Sequence, residues 1–447
     1  IRQEEINTLS KKSRIPEVPL YGARSFYDFD SENKLSKKTL FGKSVYEKPG
    51  SEIPFYSVCE TSVFDDHFED NCDAYEAIVD KVHEIQNELD QSGLSGRGGA
   101  GFLFAKKLSI CTQQMDSQKY VVCNAEEGDT GAFSDKYLLQ YKPHLVLSGM
   151  YAAGLAMGAD TGVLYVSDEY SDTYDVIKSE IEIFEKTESY LSHPFKFKLV
   201  QGANAYICGE ETALLSSLEG QRPEVRIRPP YPGQEGLYGK PTLVSNVETF
   251  AAVHWILKND GSAHSQLGSD QSKGTKLLSL GNHFKKPGVY EVEFGMNLQE
   301  LIFDKAGGFT SDIKALQVGG PLGGVVPATK IKDLDISIES FEEQGFLLGH
   351  GSLVAIEDTV PMVQVMHDLF EFTSNESCGK CFPCRIGAKS GAELLKDSSK
   401  NKIDRELFNN LIETLELGSL CGLGNGLPVP IKNILEHFSH EIKDSFR

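Results

Sequence analysis

Three cysteines stand at two-residue intervals in Glu376-Ser-Cys-Gly-Lys-Cys-Phe-Pro-Cys-Arg385, namely Cys378, Cys381 and Cys384, and Cys421 follows in Gly418-Ser-Leu-Cys-Gly-Leu-Gly-Asn425. Four thiolates are the ligand set of one [4Fe–4S] cube, in which three closely spaced sulfurs wrap one face and a distant fourth closes the site. A structural zinc is the competing use of four cysteines. Zinc sites usually pair two C-x2-C hooks, whereas the split here is three plus one. Gly379 and Pro383 suit a tight loop that brings backbone close to the sulfides, and Arg385 can offset the negative charge of a thiolate-bound cube. The other five cysteines, Cys59, Cys72, Cys111, Cys123 and Cys208, stand alone and read as small buried side chains.

A second chemical element is the run Gly96-Arg-Gly-Gly-Ala-Gly-Phe102. Gly96, Gly98, Gly99 and Gly101 let backbone N–H groups approach a phosphate or a flat ring, and Arg97 and Lys107 can add charge to a phosphate. The run matches G-x-G-x-x-G, but it follows a helical pattern (Ile78, Val82, Ile85, Leu89) instead of a strand, so an ordinary dinucleotide fingerprint is not supported. A plain surface loop is the bland alternative.

The elements that must position these residues come next. Short apolar strands (Tyr120 to Asn124, Gly162 to Val166, Phe195 to Val200) alternate with helices (Pro143 to Gly158, Ser171 to Lys186), the pattern of an α/β layer with a parallel sheet. Chemistry then belongs just past the strand ends. Asn124, Glu126, Glu127 and Asp129 follow the first strand; Tyr206, Gly209, Glu210 and Glu211 follow the third. Helix capping is the competing use of those carboxylates. Tyr231, held among prolines, offers an aromatic face for a nicotinamide or adenine ring. From Thr275 short strands and one helix (Leu298 to Ala306) form a smaller unit, and from Met362 the pattern is helical.

The 447 residues suffice for several domains, and 44 basic against 65 acidic residues give a net charge of −21, which argues against nucleic acid as a partner. No stretch approaches a membrane span of roughly 18 apolar residues, and no apolar signal region follows Ile1.

These runs, together with Asn124-Ala-Glu-Glu127, Tyr206-Ile-Cys-Gly-Glu-Glu-Thr212, and Pro241-Thr242 with Asn246-Val-Glu-Thr249, resemble the family of NADH-oxidising flavoprotein subunits. That family includes the flavin subunit of respiratory complex I and the diaphorase subunits of NAD-dependent formate dehydrogenases and NAD-reducing hydrogenases. The resemblance runs from about Ala77 to Phe438. It implies a Rossmann-like α/β domain binding FMN and NAD(H) at 75–260, a ubiquitin-like β-grasp domain at 261–345 and a four-helix bundle with one [4Fe–4S] cluster at 346–447; residues 1–74, with few periodic apolar runs, many charges and scattered Pro, read as an irregular extension. Flavin-contacting positions of the family fall on Gly96, Arg97, Gly98, Gly99, Lys107, Asn124, Glu126, Tyr206, Gly209, Glu210, Ser245 and Asn246. Nicotinamide-contacting positions fall on Phe102, Asp129, Glu211, Arg228 and Tyr231. Glu126, Asp129, Arg228, Tyr231 and Ser245 depart from the usual residue, mostly keeping charge, polarity or aromaticity.

The resemblance also implies hydride transfer between nicotinamide and flavin, with single electrons passing through the cluster to iron–sulfur partner subunits. Glu210 and Glu211 would place the ribose and nicotinamide. The wording of Glu127 to Asp135 and of Cys381 to Gly387 leans towards a formate dehydrogenase or hydrogenase diaphorase, with complex I as the alternative. A chain that keeps the cluster without FMN is the rival from another class. The expected location is the cytoplasm, with peripheral attachment to a membrane complex or an organellar matrix left open.

Overall fold

The computed structural model describes residues 52–65, 73–79, 81–203, 205–396, 398 and 401–447. Most of the 1–74 extension, Cys72 included, lies outside them. The described strands form two sheets. In chain order, β1 (Phe55–Ser57) belongs to the second sheet, and β2 (Tyr120–Ala125), β3 (Thr161–Val166), β4 (Lys196–Gln201) and β5 (Thr242–Asn246) make the first.

The first sheet is wholly parallel in the order β4-β3-β2-β5, with Tyr120 level with Thr161 on one side and Thr242 on the other. Counted within this sheet the order is 3-2-1-4, that of a doubly wound fold, whose direction of winding reverses between β2 and β5. Strand side chains alternate between two layers. Val121, Cys123 and Ala125 of β2 join the core beneath helices Pro143–Met157 and Val247–Asn259, whereas Val122 faces the opposite layer with Val163, Tyr165, Leu214 of helix Glu211–Leu218 and three of the chemically marked cysteines. Both faces are covered, which is why these strands read as nearly continuous apolar runs.

The second sheet adds β6 (Thr275–Leu280), β7 (Gly288–Glu293), β8 (Ile313–Val318), β9 (Gly324–Pro327) and β10 (Ser352–Glu357) in the mixed order β1-β7-β6-β10-β8-β9. Two of its strands come from outside 261–345. Phe55–Ser57 lies parallel to β7, and Glu291 of β7 anchors the residues that follow it, accepting hydrogen bonds from the Val63 N–H and the Ser62 hydroxyl. β10, with five of its six residues buried, sits between β6 and β8. It is a short apolar stretch placed just before a strong helical pattern, so its pairing depends on distant partners and not on local periodicity.

Helices Met362–Glu376, Ala388–Lys396, Arg405–Gly418 and Pro428–His437 pack Met366, Leu369, Phe370, Phe408, Leu415, Ile431 and Ile434 into a third core that continues onto Ala315 and Val325 of the second sheet. The helical spacing that begins at Ile78 is broken: Asp73–Val79 and Ile85–Ser92 are separate helices, with turns at 81–84. Leu298 to Ala306, expected as one helix, is helical over Glu300–Lys305, wound as a π-helix. No helix among the described residues is long and apolar enough to cross a membrane.

The two sheets are tied by a buried ion pair: Lys276 of β6 meets Glu248 in the first turn of Val247–Asn259, and both side chains are almost fully enclosed. Glu248 also accepts the Leu277 N–H at 2.8 Å. Removing one member of such a pair strands a charge and costs about 3–5 kcal/mol.

Helices Pro143–Met157 and Val247–Asn259 touch at Gly149, where an added Cβ would lie 1.9 Å from the Phe250 carbonyl oxygen. Gly149→Ala must therefore push the two helices apart. The expected loss is about 1–3 kcal/mol, read by denaturant unfolding; a variant as stable as the parent would contradict this packing.

Candidate functional site

The crevice lies where the doubly wound topology places it, past the carboxyl ends of β2 and β5. Its volume is ≈ 390 Å³, within the usual range for a small-molecule site, roughly 300–1,000 Å³. Of the residues singled out in the sequence, Gly98, Gly99, Asn124, Glu126, Glu127, Asp129, Tyr206, Gly209, Glu210 and Asn246 line it. Gly319 to Gly323 and the Gly349-His350 turn of the second sheet close it from one side, and Gly422 to Gly426 from another.

Close backbone approach explains the glycines. Gly99 has φ 110°, and a Cβ there would meet the Gly349 backbone at 3.4 Å; Gly349 has φ 56°, and its Cβ would lie 2.6 Å from the Gly319 oxygen. The glycine loop, the second sheet and the crevice therefore meet at backbone contact. Gly98 packs against the Asn246 side chain.

Three helices begin at the crevice, and their capping groups stand in its wall. Glu210 accepts hydrogen bonds from the Thr212 and Ala213 N–H groups at the start of Glu211–Leu218. Asn246 accepts from the Thr249 N–H at the start of Val247–Asn259 while donating to both oxygens of Asp135. Glu127 accepts from the Asp135 and Lys136 N–H groups of helix Ser134–Tyr141, and also from Ser134, Tyr170 and His350. The capping use of these carboxylates and their place in the crevice are thus both realised. The N-terminal ends carry partial positive charge, which favours anionic ligands here.

Asn124 donates to the Gly209 carbonyl at 2.7 Å, and the Tyr206 hydroxyl donates to Asp129 at 2.7 Å. Burial, reinforced by the Asp129 charge, holds the Tyr206 phenol well above its ordinary range, so it stays a donor.

Other expected residues lie outside the crevice lining. Arg97 is 2% exposed. Its guanidinium donates to the Ser95 carbonyl and hydroxyl and to the Lys273 carbonyl, and stacks 4.8 Å from the Phe294 ring centre, turned into the junction with the second sheet. Burial lowers it to about 10. The expectation that this charge serves a phosphate is corrected: the side chain is a structural bracket, and only its backbone belongs to the glycine loop. Lys107 donates to the Val244 carbonyl and pairs with Glu211 at 2.9 Å; Glu211 also pairs with Arg228 at 3.1 Å. Phe102 and Tyr231, 49% and 52% exposed, keep open aromatic faces. Gly96, Gly101 and Ser245 do not touch the crevice.

Cys378, Cys384 and Cys421 are buried and Cys381 half-buried, all four unpaired, in an apolar shell with Ile207, Leu214 and Leu423. Burial pushes the Cys384 thiol up to about 11 and the Cys421 thiol up to about 12. A bound metal centre would draw those protons off. The three-plus-one split of the four thiols remains the feature that favours a cube over a zinc ion. Of the lone cysteines, Cys111, Cys123 and Cys208 are buried as expected, and Cys59 is half-buried.

Two ionisable crevice residues escaped the sequence reading, Asp135 and His350. Asp135 closes the Glu127 to Asp135 run, and its helix-start position was the available signal. His350, flanked by glycines ahead of a strand that local pattern did not reveal, gave none. His350 lies 2.9 Å from Glu127 and 3.6 Å from Asp135. Burial alone would lower the imidazole, yet Asp135 and the bond to Glu127 raise it to about 9. Burial raises Asp135 to about 7, with His350 opposing and Glu127 and Glu248 adding. Burial would raise Glu127 too, but its bond to His350 and its other donors leave it lowered.

Residues 89–255 match the family model described as the Nuo51 FMN-binding domain, and residues 364–445 match the NADH-ubiquinone oxidoreductase-F iron-sulfur binding region. The HndC subunit of the NADP-reducing hydrogenase of Solidesulfovibrio fructosivorans is 40% identical over 371 residues, 80% of this chain and 75% of that protein. The F subunit of the NADH-quinone oxidoreductase of Aquifex aeolicus is 36% identical over 367 residues, 80% of this chain and 85% of that protein. A chain of a solved NAD+-reducing [NiFe]-hydrogenase in its H2-reduced state superposes with a TM-score of 0.81 at 30% identity, covering 89% of this chain and 68% of that one.

The folded protein holds protons on His350 and Asp135 that the unfolded chain, with ordinary values of 6.5 and 3.8, releases earlier. The stability carried by His350 is complete below pH 6.5 and lost as pH rises through about 9; that carried by Asp135 is lost as pH rises through about 7. The thermal unfolding midpoint should fall across the His350 window, and His350→Gln should flatten it. A midpoint that holds constant or rises there in the unaltered protein would refute the assignment.

Proposed function

The chain belongs to the family of NADH-oxidising flavoprotein subunits, and from that premise we propose that it is a diaphorase-type subunit, moving electrons between NAD(H) and iron–sulfur partner subunits of a larger redox enzyme. FMN and NAD(H) occupy the crevice, and Cys378, Cys381, Cys384 and Cys421 carry one [4Fe–4S] cluster. The observation that carries the reading is one shared wall: Leu423 and Asn425, lining the crevice, follow directly on the Cys421 turn. A centre on the cysteines and a ring in the crevice are then neighbours across a few side chains.

When bound, the flavin supplies the chemistry that converts a hydride's electron pair into single electrons. The chain supplies position. Gly98 and Gly99 let the ring lie against backbone, Asn124, Glu126, Gly209 and Asn246 present hydrogen-bonding groups to it, and the three helix starts favour its phosphate. Glu211, braced between Lys107 and Arg228, offers a fixed carboxylate to ribose hydroxyls, with Phe102 and Tyr231 as faces for the nucleotide's rings. The second sheet is read as a β-grasp-type domain and the four C-terminal helices as a bundle, supported by the mixed strand order and by the apolar cluster those helices build against Ala315 and Val325.

Partner contact is read at the half-buried Cys381, where Phe382 and Ile386 are exposed. The relatives named above serve a hydrogenase and a quinone oxidoreductase; a formate dehydrogenase as host rests on the wording of Glu127 to Asp135 and Cys381 to Gly387 alone.

The full chain, purified without oxygen, should contain FMN together with iron and labile sulfide in equal amounts, and should reduce ferricyanide with NADH. Zinc without sulfide, or iron and sulfide without flavin, would overturn the reading. Cys421→Ser should lose iron and sulfide while keeping the flavin. Glu211→Gln should raise KM for NADH roughly tenfold, equivalent to about 1.4 kcal/mol, with the flavin spectrum unchanged.

A further inference from the structure

Five carboxylate residues, Glu126, Glu127, Asp129, Asp135 and Glu210, line the crevice, and among the described lining residues His350 alone can carry positive charge. Both ligands of the proposed reaction are anions. His350 is delivered by the second sheet, in the turn between Gly349 and Gly351 ahead of β10. Its Nε2 lies 2.9 Å from Glu127 Oε1, 3.6 Å from Asp135 Oδ2 and 3.5 Å from Ser134 Oγ. Behind these stand Tyr170, donating to Glu127, and the Lys276–Glu248 pair, whose charges are felt at Asp135.

We propose that His350 is the charge-balancing residue of the flavin site: its imidazolium, clamped by Glu127 and Asp135 in the crevice wall, offsets the negative charge that hydride delivery leaves there. The inference rests on the diaphorase reading. In that step the nicotinamide C–H bond breaks with both its electrons, an N–H bond forms on the acceptor ring, NAD+ is released, and one negative charge remains on the acceptor. No proton is consumed, and His350 keeps its own.

The rival use of Glu127, Asp135 and His350, which are close enough to hold a metal ion, is disfavoured by their existing partners. Glu127 already accepts from two backbone N–H groups and two hydroxyls besides His350, and both Asp135 oxygens accept from Asn246. A cation would have to displace these bonds; an imidazolium completes them. The raised His350 value, about 9, keeps the ring charged at neutral pH.

The test is the flavin midpoint potential of the full chain, measured by spectroelectrochemistry at pH 7 and pH 10, for the parent, His350→Gln and His350→Arg. At pH 7 the Gln variant should show a reduced-to-oxidised ratio about tenfold lower at equal poise, or ~30 mV for a two-electron couple. That difference should shrink to a small fraction at pH 10, where most of the parent imidazole is neutral. The Arg variant, charged at both values, should match the parent at pH 7 and exceed it at pH 10. A Gln offset of equal size at both pH values, or an Arg variant that follows Gln, would mean that His350 only fills space, and would overturn the proposal. Should neither variant retain flavin, the parent decides alone: its potential must steepen its fall with pH across the imidazole titration, and an unbroken slope overturns the proposal. A parent that purifies without FMN defeats the diaphorase reading itself; a parent with FMN but no such pH effect defeats only the role of His350.

Discussion

A bond between the Tyr206 N–H and the Glu376 carboxylate, 2.8 Å long, joins the two halves of the chemistry. Tyr206 opens the segment past β4 that lines the crevice, and Glu376 ends the helix that leads into Cys378. Arg222, which follows helix Glu211–Leu218 in the chain, donates to the Cys378 carbonyl at 3.0 Å and holds the same loop. The Tyr206 ring packs edge-on against Phe372, and Ile207 and Cys208 enter the apolar shell of the cysteines. Electron transfer requires two centres held at a fixed, short separation. The same segment lines the crevice and enters the shell of the cysteines, so a shift of the C-terminal helices would disturb both at once.

How far the sequence disclosed this depends on how local each signal is. The cysteine set was legible because ligand spacing is a property of adjacent residues, and the parallel sheet was legible because alternating apolar runs and helices determine a layer without reference to anything distant. Glu210 and Glu127 were legible as residues past strand ends with helix capping as their competing use, and the backbone joins the two uses in one place; Asn246, which ends β5, was marked only by the family resemblance. Arg97 misled for the converse reason: its type and setting suited a phosphate, but Ser95, Lys273 and Phe294 offered a closer set of partners, and the last two lie far along the chain. β1 and β10 were passed over because a three-residue strand and an apolar hexamer beside a helix have no periodicity of their own; they exist as strands only through pairing with β7, β6 and β8.

The same division separates the crevice's negative and positive groups. Its carboxylates come from loops of the first sheet, where helix starts demand acceptors, and a doubly wound fold that caps its helices with Glu and Asn necessarily lines its ligand site with them. Cationic side chains nearby are already engaged: Lys107 and Arg228 with Glu211, Arg97 at the sheet junction, Lys276 with Glu248. A positive group for the crevice interior therefore had to enter from another layer, through the approach the glycine contacts leave, the turn at Gly349 to Gly351. Because β10 is a central strand of its sheet, that turn is fixed by pairing on both sides and by the Lys276–Glu248 pair beneath it. The second sheet, which carries no chemical motif in its sequence, thus completes the electrostatics of a site built almost entirely by the first.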